Sequence, residues 1–246
     1  MRKFSWYYWV AILLVILSIV IYIIHFLIFR DVHHIFIYMI GDLAFLPIEV
    51  LLVILVIHRL LTEREKRMRL EKLNMVIDAF FSEVGIDLLR SFKKVDHNIS
   101  QLNKYLVVKP DTSDRGFMEI REILDGYQPD VTCSAADLEE LKAFLLERRD
   151  FMLRLLENPT LLENELFTDM LKSIFHLTEE LVNRENLGEV TGLDMEHICG
   201  DVKRASIFLI RQWIEYMMHL KNSYPYLYSL AVRLNPFDPD ASLEIK

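Results

Sequence analysis

Asp42 and Glu49 stand seven residues apart in an apolar run, Ile35 to His58, that holds no other formal charge. On a helix that spacing turns the two side chains about 20° from each other and sets them about 10 Å apart in height, so both carboxylates share one face. Tyr38, Phe45, Leu52 and Val56 fall on or beside the same stripe. Gly41 would admit a close neighbour, and Pro47 frees a backbone carbonyl between the two acids. A carboxylate held deep in hydrocarbon costs about 2.5 to 3.5 kcal/mol, so each acid has to face protein, water or a cation. Two uses fit: rings of carboxylates lining a cation or proton pathway in a homo-oligomer, or a seam for packing and assembly with Glu49 protonated and Asp42 paired.

His25 lies five residues before Arg30 and Asp42 eight after His34, so in a helical hairpin they differ by only about 5 Å in height and are expected to meet. Glu49 would face Val15 and Ser18, where no basic residue exists. Its partner must be a proton, a hydroxyl, water or another subunit. Two helices cannot enclose a path by themselves, which is why conduction would require self-association.

A second set of residues has metal-ligand chemistry. His176 precedes Glu180 by four residues, His197 precedes Asp201 by four, and His219 follows Glu215 by four, so each pair shares a helix face. With a reversal near Glu189, His176, Glu180, His197 and Asp201 would converge between antiparallel helices as four potential ligands, while His219 would lie too far along to join them. The pattern is not the Glu-x-x-His set of carboxylate-bridged di-iron bundles. Ordinary ion pairs are the competing reading, with a membrane-tethered metal-dependent enzyme the functional one. No nucleophile has a base and an orienting third group in view, and the seven glycines are scattered rather than gathered in a phosphate loop. No enzyme activity and no cofactor is therefore expected.

The elements that must carry these residues follow from run lengths. Trp6 to Phe29 is 24 residues without formal charge, about 36 Å of helix against a hydrocarbon layer of about 30 Å. No small-residue cleavage site follows it, so the first run reads as a retained span rather than a signal peptide. The second span is Ile35 to His58, and the five residues from Arg30 to His34 permit only a tight hairpin. Arg2 and Lys3 precede the first span, Arg30 alone lies in the hairpin, and Arg59, Arg64, Lys66, Arg67, Arg69 and Lys72 follow the second. Positive charge marks the cytoplasmic side, so both termini are expected in the cytoplasm and the protein in the cell membrane. Trp6, Tyr7, Tyr8 and Trp9 suit the headgroup layer.

Up to Thr62 four basic residues outnumber three acids, leaving +1, so the remainder carries −9 of the total −8. An acidic soluble part argues against a nucleic-acid partner, since phosphate binding needs concentrated basic surface and the basic cluster here sits beside the second span. Cys133 and Cys199 form no metal knuckle or disulfide framework. Beyond the spans, apolar residues recur every 3.6 positions on average at Leu70, Leu73, Ile77, Phe80, Val84, Leu88, Phe92, Val95, Ile99, Leu102 and Leu106, which predicts one amphipathic helix continuous with the second span, with a bend possible at Gly85. Further helices are expected at Phe117 to Leu124, from a Ser134–Asp137 capping box to about Glu157, from Thr160 and Glu163 to about Arg184, and from an Asp194 cap to about Asn222. No useful alternating pattern appears. The fold class is all-α: a two-helix transmembrane hairpin over 1–62, a cytoplasmic helical bundle over 63–234 and a flexible acidic tail over 235–246.

Residues 34–61 (HIFIYMIGDLAFLPIEVLLVILVIHRLL), the FFSEVG stretch at 80–85 and the closing YPYLYSLAVRLNPF at 224–237 resemble a family of small two-span prokaryotic membrane proteins with a cytoplasmic helical domain. The resemblance covers most of the chain. It implies the architecture and carries no activity or site residue. The expected function is a non-enzymatic, homo-oligomeric membrane protein whose intramembrane acids pass cations or protons under control of the bundle. The alternatives are a membrane-anchored scaffold that recruits a cytoplasmic protein, and the metal-dependent bundle enzyme above.

Overall fold

A computed structural model describes residues 3–159, 161 and 164–243. The chain divides into two compact units, residues 1–66 and 67–246. The first is built from α1 (Lys3–Phe29) and the beginning of α2 (Val32–Phe80). The expected five-residue hairpin is shorter, because α2 begins at Val32. Arg30 turns the chain with a φ of 48°, and the Asp31 carboxylate accepts from the backbone N–H groups of His33 (2.9 Å) and His34 (3.3 Å), satisfying donors that an uncapped first turn would leave orphaned. Pro47 is accommodated inside α2 without ending it. By length and composition both helices could cross a membrane, and no residue from Tyr8 to Lys72 is buried.

In the second unit the apolar stripe packs as its period predicts: Leu73, Ile77, Phe80, Val84, Leu88, Phe92, Val95, Ile99, Leu102 and Leu106 are buried, whereas Leu70 is exposed. The single helix expected there is interrupted twice. A π-helical turn, Phe81–Gly85, follows α2. It brings Phe81 flat against Tyr216 and Phe80 edge-on to Phe167, with ring centroids 4.5 and 5.5 Å apart. Gly85 is required here, since a Cβ would lie 2.5 Å from the Phe81 ring. After α3 (Ile86–Val95) the chain breaks at buried Asp96, then resumes as α4 (Ile99–Leu106). The Asp96 carboxylate accepts from the N–H groups of Asn98 and Asp130 and from the Tyr127 hydroxyl. The two long-range donors, from Tyr127 and Asp130, add to the local bond from Asn98 what a continued helix would not supply, so the stripe splits without losing its face.

The remaining helices are α5 (Asp114–Asp125), α6 (Ala135–Leu156), α7 (Glu165–Val182), α8 (Gly192–Ser223) and α9 (Pro225–Arg233). The Ser134–Asp137 capping box forms at the start of α6 as expected. The start expected at Thr160 and Glu163 falls outside the described residues; within them, the Asn164 side chain caps α7 by accepting from the N–H of Phe167 at 3.0 Å. Asp194 is not the cap of α8, which follows Thr191, but sits in its first turn. The tail expected to be free from Asn235 onward is first tied down: Asn235 donates to the Leu106 carbonyl at 2.8 Å, and buried Phe237 meets Trp213 edge-on at 5.1 Å. Helices α7 and α8 lie against each other at the centre, with Ile174, Leu177, Leu181, Ile198, Val202 and Leu209 fully or almost fully buried.

Candidate functional site

Helices α7 and α8 each present one of the histidine–carboxylate pairs to the other. The reversal between them passes through a short 3-10 turn, Leu187–Glu189, and brings the second pair level with the first. Asp201 Oδ2 lies 3.4 Å from His176 Nε2 and 3.5 Å from His197 Nε2. Glu180 completes the group, its Oε1 4.0 Å from His176 Nε2 and its Oε2 3.9 Å from His197 Nε2. One ligand atom from each of His176, His197 and Asp201 falls within 4.8 Å of the others. All four residues read from the sequence as potential ligands therefore meet.

Their environments differ in a way that matters chemically. The Asp201 side chain is 2% exposed and neither of its oxygens has a hydrogen-bond partner, while the imidazoles of His176 and His197 are 47% and 55% exposed. Arg204 Nη1 approaches Asp201 Oδ1 at 3.0 Å. Arg184 organises the rim: it donates to Glu180 Oε2 at 2.6 Å and grips both oxygens of Asp194 at 2.7 and 3.1 Å. The hydrogen bond from Arg184 holds the Glu180 and Asp194 carboxyls below their ordinary range, so both are ionised acceptors. Arg184 follows Glu180 by four residues, a spacing visible in the sequence; its reach to Asp194 across the reversal was not.

His219 lies apart, as expected, but not with Glu215. Its Nδ1 is 3.1 Å from Asn74 Nδ2, and Glu215 pairs with Arg121 instead. Burial lowers the His219 pKa against the opposing pull of Asp78, whose carboxyl is itself raised by burial. Cys133 packs against Cys199 on the face of α8 opposite His197 and Asp201, both thiols are free, and burial pushes the Cys133 thiol up. No local signal in the sequence announces that contact.

In the first unit Tyr38, His25 and Asp42 line one open groove of about 510 Å³ together with Ser18 and Tyr22. His25 does not pair directly with Asp42 among the described contacts; its ring stacks on His34, 6.0 Å away, and His34 meets Tyr38 edge-on at 4.7 Å. His34, which run lengths alone place in the hairpin, belongs to the first turn of α2. Glu49 lies outside that groove and is exposed. Nothing lies within 4 Å of where a Cβ on Gly41 would be, so its close approach is not used within one chain.

An all-helical architecture with a paired histidine–carboxylate cluster in its bundle is thus the class of protein defined here. Residues 69–233 match the family described as "Uncharacterized protein MJ1433, C-terminal helical domain", and residues 2–61 match the "MJ1433, N-terminal helical domain". The chain belongs to this family. It is 45% identical over 229 residues to the Uncharacterized protein MJ1433 of Methanocaldococcus jannaschii, covering 93% of this chain and 92% of that one. No solved structure matches it.

Proposed function

We propose that the chain is a two-span integral membrane protein that self-associates through the carboxylate-bearing face of α2 and holds its helical bundle at the cytoplasmic surface. The observation that carries this reading is the uncovered first unit: from Tyr8 to Lys66 no residue is buried, and as far as Ile57 the exposed surface is predominantly apolar. Sixteen Leu, Ile, Val and Phe residues between Ile35 and His58 favour insertion by about 5 to 10 kcal/mol, and the two acids oppose it by about 5 to 7 kcal/mol. The near balance makes a partner for the carboxylates decisive. Lipid covers the apolar faces, while Asp42, Glu49 and the unoccupied approach at Gly41 meet a second copy. The cationic flank from Arg59 to Lys72 sets the cytoplasmic orientation.

Native mass measurement in mild detergent tests this. The wild-type chain should run as a multiple of its 29.2 kDa, and Asp42→Leu/Glu49→Leu should shift it toward monomer. Release of the wild-type protein from membranes by carbonate, or an oligomer indifferent to both substitutions, would refute the reading. A second use of the same seam, passage of cations or protons, is favoured by the polar groups His25, Tyr38 and Asp42 that stand together in an otherwise largely apolar groove. Ion flux into liposomes that disappears in Glu49→Gln and Asp42→Asn supports it, and tight liposomes bearing wild-type oligomer remove it.

A further inference from the structure

We propose that His176, Glu180, His197 and Asp201 form a binding site for a divalent transition metal of the zinc type. Two imidazole nitrogens and one carboxylate oxygen already stand in ligand relation, with Asp201 Oδ2 at 3.4 and 3.5 Å from the two Nε2 atoms. The edge of a tetrahedron around zinc, with bonds of about 2.0 to 2.1 Å, is about 3.3 to 3.4 Å, so both Asp201–histidine edges already match it, and the three ligand atoms lie within 4.8 Å of one another. Glu180, at 4.0 and 3.9 Å from the same nitrogens, closes the fourth corner by a small side-chain rotation.

An independent observation points to a cation. Asp201 is almost completely buried, and its Oδ2 is aimed between the two imidazoles with no hydrogen-bond partner. Leaving a buried carboxylate oxygen unsatisfied is costly, and a dication held also by the imidazoles relieves that cost. Both imidazoles are about half exposed, and ion pairs open to solvent to that degree contribute little by themselves. The surroundings suit metal ligation: Arg184 donates to Oε2 of Glu180, leaving Oε1 to ligate, and Arg204 stands 3.0 Å from Oδ1 of Asp201 as an ionic outer-shell neighbour. The exposed imidazoles leave a way in for the ion. The nitrogen and oxygen set disfavours calcium and magnesium, which take oxygen alone, and copper(I), which prefers sulfur. This inference does not depend on how the spans associate.

The test uses the full chain in detergent, carrying no polyhistidine tag, stripped by chelator and titrated with Zn2+ by calorimetry and with Co2+ by visible absorption. One tight site per chain is expected, with the absorption of a four-coordinate Co2+ complex. Asp201→Asn, and His176→Gln/His197→Gln, should lose both the tight zinc site and that spectrum. Arg184→Gln should weaken binding by about 10- to 100-fold, as loss of an outer-shell partner does. His33→Gln/His34→Gln, a histidine pair elsewhere in the chain, should leave the site intact. Should Asp201→Asn fail to fold, His197→Gln alone, at a half-exposed position, carries the same expectation. A wild-type chain that binds no zinc tightly, or binds it equally after Asp201→Asn and the double histidine substitution, overturns the proposal.

Discussion

Replacing Asp96 by alanine takes the shared acceptor away from three donors at once: the backbone N–H groups of Asn98 and Asp130, at 3.0 and 3.1 Å, and the Tyr127 hydroxyl. Hydrogen bonds to an ionised acceptor contribute about 1.5 to 3 kcal/mol each when both ends are desolvated. Asp130 is exposed and Asn98 half-buried, so water replaces much of what those two lose and each is worth about 1 kcal/mol here. Tyr127 is half-buried, and its hydroxyl pKa is raised, by burial first and by the bond to Asp96 second. Assigning that bond about 1.5 kcal/mol, Asp96→Ala should cost about 3 to 4 kcal/mol, Tyr127→Phe about 1.5, and Asp96→Asn an intermediate amount, because its amide oxygen can still accept. Urea unfolding of the detergent-solubilised full chain, followed by far-ultraviolet circular dichroism, measures the series. If Asp96→Ala costs no more than Tyr127→Phe, Asp96 is not what holds the α3–α4 break against the segment at Asp130, and the reasoning fails.

Trp213→Ala empties a fully buried site against Phe237 and should destabilise the bundle by about 3 to 5 kcal/mol, read as a lowered urea midpoint. Ser134→Ala removes the side-chain half of the α6 capping box and should cost about 1 kcal/mol in the same assay. His219 has an ordinary pKa of 6.5 that burial lowers in the folded chain. The unfolded chain therefore takes up a proton first as pH falls through 6.5, and stability should decline from there down to the folded value and then level off. His219→Gln should flatten that part of a melting-temperature profile relative to wild type; an unchanged slope would show that the histidine is not kept neutral by folding.

The helical character of this protein, the two uncharged runs and the buried stripe from Leu73 to Leu106 were legible in the sequence, because they rest on period and composition, which are local. The capping box at Ser134 was legible for the same reason: its two partners are three residues apart. The grouping of His176 with Asp201 could be anticipated from two four-residue spacings and one reversal, both short-range facts. What the sequence alone did not decide were features whose partners are remote. The break at Asp96 depends on donors from Tyr127 and Asp130, the π-helical turn at Phe81–Gly85 on the ring of Tyr216, and the rim of the histidine cluster on Arg184 reaching Asp194 across the α7–α8 reversal. Propensity within one segment carries no information about which distant donor or ring will arrive beside it. Tertiary packing chose those partners, and with them the places where an unbroken helix yields to a better-satisfied bend.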